Sequence, residues 1–172
     1  FRLPTDGPKD KNIQDDVYVA VMGGGYGGRD DGVGSALFVI NLQDNATPGK
    51  VEKVIEVRDN PSIDIINSIP GSPVVITADT SRGIKYTGAL VYTNEFEGKI
   101  TKYNLTNMED DGSRNPIKLY DHTTLLSIDA STINGRYQYH SMDAGIGKTS
   151  KNMWLFSGTC LLYTSPSPRD DL

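Results

Sequence analysis

The stretch "LVYTNEFEGKITKYNL", residues 90–105, decides how this chain folds. Leu90, Val91, Tyr92 and Thr93 run into Asn94-Glu95-Phe96-Glu97, Gly98 supplies a turn, and Lys99 to Tyr103 run back. Aromatic and β-branched residues on both sides of a short Gly-containing turn predict a β-hairpin. Outward from it the same rhythm repeats. Residues 17–22 ("VYVAVM") read as a strand stopped by three glycines, and residues 36–42 ("ALFVINL") as a second strand. Further strands are expected at 51–57, 73–77, 117–122 and 152–158. Residues 62–69 and 122–131 are each expected to make a turn or two of helix, against the pull of their β-branched side chains.

"ALFVINLQDNATPGKVEKVIEV" and "ALVYTNEFEGKITKYNL" begin alike, and strand–turn–strand units return every several tens of residues. That spacing predicts a repeat architecture. Four-stranded units stacked radially would bury each sheet's faces against its neighbours. The expected fold is therefore all-β, a partial β-propeller of antiparallel blades, about two to three in number. A two-sheet sandwich is the alternative.

The totals narrow the function classes. A chain of 172 residues is long enough for one domain with a core. No apolar run approaches the roughly 20 residues that span a bilayer, so no transmembrane segment is expected. A formal charge of -5 argues against nucleic acid, which is held by clustered Lys and Arg. The chain starts at Phe1 rather than Met and reads as a window from something longer, with residues 1–16 a loop or the end of a preceding unit.

Three segments in order, "VMGGGYGG…GSALFVINLQDNATPGKVEKVIEV", "IPGSPVVITADTSRGIKYTGALVYTNEFEGKITKYNL" and "NMWLFSGT", resemble the C-terminal β-propeller of PilC/PilY proteins. These are type IV pilus biogenesis factors and tip-associated adhesins of Gram-negative bacteria. The resemblance covers residues 17–159. It implies a non-enzymatic structural and adhesive module, secreted and displayed at the outer membrane or cell surface on a pilus. The partners it implies are minor pilins or the pilus tip, and host or abiotic surfaces. Members of that family often carry a calcium loop before the aromatic strand, because Ca²⁺ needs six to eight oxygens and hence recurring acidic side chains. Here "TADTSRGIKYTGA" offers Asp79 as its carboxylate and Ser81 as a second oxygen, with Gly88-Ala89 where the last Asp would fall. The resemblance thus implies a degenerate calcium loop at Asp79 and Ser81.

Other constellations compete. "MGGGYGG" (22–28) could cradle a phosphate, but Arg29-Asp30-Asp31-Gly32 and a strand follow it, and the favoured reading is close backbone packing at an inner end. "MDAGIGKTS" (142–150) carries the Gly147-Lys148-Thr149 ending of a P-loop, with Met142 in place of the first glycine and no helix-forming sequence after it. A quinoprotein-like propeller dehydrogenase shares the strand rhythm but normally docks its blades with repeated tryptophans; this chain has one, Trp154. Asp30-Asp31 and Glu109-Asp110-Asp111 read as solvated loops. His122 and His140 lack metal-spaced partners. Tyr137, Tyr139 and Trp154 read as core or interface aromatics.

The resemblance stops at Cys160. "CLLYTSPSPRD" resembles the in-frame translation of a sequencing-library adaptor found in assembled gene catalogues. Ser165-Pro166-Ser167-Pro168 cannot complete a sheet, so residues 160–172 are expected not to be native.

Overall fold

A computed structural model of the chain describes residues 1–3, 17–27, 33–44, 46–57, 67–77, 88–105, 121–128, 136–150 and 152–161. Among these residues every regular element is a strand, and all pairing is antiparallel. No helix among them is long and apolar enough to cross a membrane.

The first sheet is a meander of β1 (Arg2–Leu3), β2 (Val17–Gly23), β3 (Ala36–Asn41) and β4 (Val51–Glu56). Within the stretch expected to be a loop, β1 pairs with Tyr18 and Val17, and Phe1 bonds to Val19 through both its amine and its carbonyl. The second sheet repeats the plan with β5 (Val74–Ile76), β6 (Leu90–Asn94), β7 (Lys99–Asn104) and β8 (Asp121–Ser127). Its centre is the hairpin read from residues 90–105, closed by Gly98 N–H donating to the Glu95 carbonyl at 2.9 Å. Gly98 is the turn residue because its φ of 85° lies in the left-handed region that favours glycine.

A third layer contains two short ladders. β10 (Asp143–Ile146) pairs with β11 (Met153–Phe156), and β9 (Arg136–Tyr137) pairs with β12 (Cys160–Leu161). The stretch set aside as non-native therefore begins with two residues in register with Tyr137 and Arg136. Residues beyond 161 lie outside the described set.

Of the two helix expectations, that over 122–131 is corrected for its described residues 122–128, while that over 62–69 lies outside the described residues except at 67–69. Residues 121–127 form the edge strand β8, because Thr123, Thr124 and their neighbours continue the ladder along β7. Asn67 to Ile69 are extended, and Ile69 makes an isolated bridge to Gly25.

Both meanders carry an irregularity at the same place. In the first sheet the register between β3 and β4 shifts at Val39/Ile40, leaving Glu52 as the extra residue on the fourth strand. In the second it shifts between β7 and β8 at Ile100/Thr101, leaving Leu125 as the extra residue. A bulge of one extra residue is a fixed local feature, so the two bulges set a correspondence: Ile40 matches Thr101, and Ala20 matches Thr93. By position, then, β6–β7 corresponds to β2–β3. The sequence likeness of its Ala-Leu start to residues 36–57 is offset by one strand.

The sheets stack face to face. Val19, Leu37, Val39 and Ile55 of the first meet Val91 and Tyr103 of the second in one buried cluster with Ile69, Ala89 and Leu105. On its opposite side the second sheet packs Tyr92 and Ile100 against Met142 and Leu155 of the third layer.

Candidate functional site

The three layers converge at one end, around the 95–98 turn. Each contact there is set by backbone hydrogen bonds. Gly25 N–H donates to the Ile69 carbonyl and Ile69 N–H to the Gly34 carbonyl, both at 3.0 Å, which ties the β2–β3 loop to residues 67–69. Phe96 N–H donates to the Ser68 carbonyl at 2.8 Å, and Gln138 N–H donates to the Phe96 carbonyl at 3.0 Å. Phe96 is thus the hinge point of three segments.

Its ring is also the centre of an aromatic group. Tyr26 meets it edge-on at 5.3 Å, Tyr137 stacks on it at 4.7 Å and Tyr139 meets its edge at 4.9 Å. Such arrangements suit the negative faces and positive edges of the rings. Phe96 is buried while Tyr26 stands exposed at the rim. The expectation that Tyr137 and Tyr139 are core or interface aromatics fits this placement; Trp154, expected with them, stands exposed on β11 instead.

Glycines make the approach possible. A Cβ on Gly24 would lie 2.6 Å from the Gly34 carbonyl oxygen, and one on Gly27 only 1.5 Å from that of Val33. The loop doubles back on itself, and a strand (β3) follows it. That geometry agrees with reading "GGGYGG" as close backbone packing.

Polar groups fill the layer below the rings. Glu95 is almost wholly buried, and Thr101 Oγ1 donates to its Oε1 at 2.5 Å. Thr93 Oγ1 donates to Tyr103 Oη at 3.2 Å. Burial pushes the Tyr103 phenol well above its ordinary range; the Thr93 hydrogen bond opposes this, and the Glu95 charge adds to it. Burial alone raises Tyr92. Lys99 pairs with Glu97. Asn94 Nδ2 donates to the His140 carbonyl at 2.9 Å, clamping the third layer to the second, and Gln138 Nε2 donates to Ser157 Oγ at 3.0 Å within the third layer. Five such atoms, among them Asn94 Oδ1, Gln138 Oε1 and Ser68 Oγ, are buried, and no hydrogen bond to the described residues was found for them; the pairing with Lys99 covers the Glu97 oxygen among them.

The P-loop-like residues fall elsewhere. Met142 is buried, Asp143 to Ile146 are β10, and Gly147 to Ser150 turn the chain into β11, with Gly147 N–H donating to the Asn152 carbonyl at 2.8 Å. Lys148 and Thr149 sit exposed at a hairpin tip and do not open a helix. His122 stacks on Tyr103 at 6.4 Å and faces solvent. The calcium-loop residues Asp79 and Ser81 lie outside the described residues, as do Asp30-Asp31 and Glu109-Asp110-Asp111. Among the described residues no group of three or more His, Cys, Asp or Glu side chains is placed to hold a metal ion.

The sequence reading missed the convergence itself. One signal could have marked it: an aromatic lies just past the end of the second strand in both sheets, Tyr26 in "GGGYGG" and Phe96 in "NEFEG".

With this geometry in hand, comparison with protein-family models, with curated proteins and with solved structures returned no match. The class the fold defines is an all-β stack of antiparallel sheets.

Proposed function

We propose that residues 17–159 are part of a β-propeller in a PilC/PilY-like type IV pilus biogenesis protein, acting as a structural and adhesive module without catalysis of its own. The observation that carries this reading is the burial of the second sheet on both faces, between the first sheet and the third layer. That is the condition of a blade inside a radial stack.

The bulge correspondence extends the argument. The face of the second sheet that packs on the first contains Val91, Thr93, Thr101 and Tyr103, all buried. The matching face of the first sheet contains Tyr18, Ala20, Ile40 and Leu42, with Met22, Phe38 and Val54 beside them. Tyr18, Met22, Leu42 and Val54 are exposed there. In this reading a preceding blade of the longer protein seats on that face, and the loops at the convergent end are carried on a rigid scaffold for minor pilins or a surface. The protein would work outside a Gram-negative cell, at the outer membrane or the pilus tip.

The test is an in-frame deletion of the region encoding residues 17–159 in the parent gene, scored for surface pili by electron microscopy and for attachment. Loss of pili or of attachment is expected. Cells that keep both would contradict the assignment.

A further inference from the structure

We draw no further inference here: the strongest candidate, the exposed aromatic face that Trp154 and Phe156 form on β11 of the third layer, carries nothing, because nothing in the structure shows what covers it.

Discussion

The two four-stranded sheets share strand order and bulge position but differ in what covers them. At matched positions Val91 and Tyr103 of the second sheet are fully buried, whereas Tyr18 and Leu42 of the first are 49% and 60% exposed. Burial in this molecule therefore follows place in the stack more than the sequence of the strand. The inner sheet can hold Thr93, Asn94, Glu95 and Thr101 in its interior because hydrogen bonds serve them there. The outer sheet leaves valine, methionine and tyrosine in water.

The comparison breaks most readily at Tyr103. Tyr103→Ala should destabilise the chain by about 4 kcal/mol, as large buried aromatics do. Leu42→Ala at the matched exposed position should cost under about 0.5 kcal/mol. Equal losses in urea denaturation would end the claim that the sheets sit in different environments. Next in size is Thr101→Val, which removes the donor to buried Glu95 and should cost about 2 kcal/mol. A neutral result would mean that other groups satisfy the carboxylate.

A smaller effect is expected in alkali. Tyr103's folded-state pKa is raised above its ordinary value of 10.0. Below that pH both states hold the phenol proton. Above it the unfolded chain releases a proton that the folded chain keeps, so stability should fall as pH rises past 10. Tyr103→Phe should flatten that decline in pH-dependent denaturation; an unchanged slope would place the titrating group elsewhere. The smallest effect belongs to the outer face. Met22→Lys should move the stability of this chain by less than about 0.5 kcal/mol, yet disfavour any further sheet that seats on that face. A large loss in the short chain would show that the face is already covered.

Much of the fold was legible in the sequence. Residues 17–22, 36–42, 51–57, 73–77, 90–105 and 152–158 supply β2 to β7 and β11, because runs of Val, Ile and Tyr bounded by Gly, Asn and Asp leave few other options. Residues 121–122 of β8 fall in the strand expected at 117–122, while 122–131 were expected to make a turn or two of helix; Leu125-Leu126 breaks the alternation of two that would have marked a strand. The structure shows why: Leu125 is the bulge residue, which shifts the period by one. The two-residue strands β9 and β12 carry no period at all. The glycine loop was read correctly as packing, since a strand follows it where a phosphate loop needs a helix. Around the 95–98 turn, the buried Glu95 and Asn94 were not legible as interior residues. A polar residue near a turn reads as exposed until the layers on both sides are known.

Amide hydrogen exchange on the 172-residue chain tests the stack most directly. The account predicts that amides of Leu90–Asn94 and Lys99–Asn104 exchange slowest, with Val17–Gly23 and Ala36–Asn41 opening earlier from the uncovered side. Uniform protection across both sheets, or slowest exchange in the first, would contradict an inner sheet flanked on both faces.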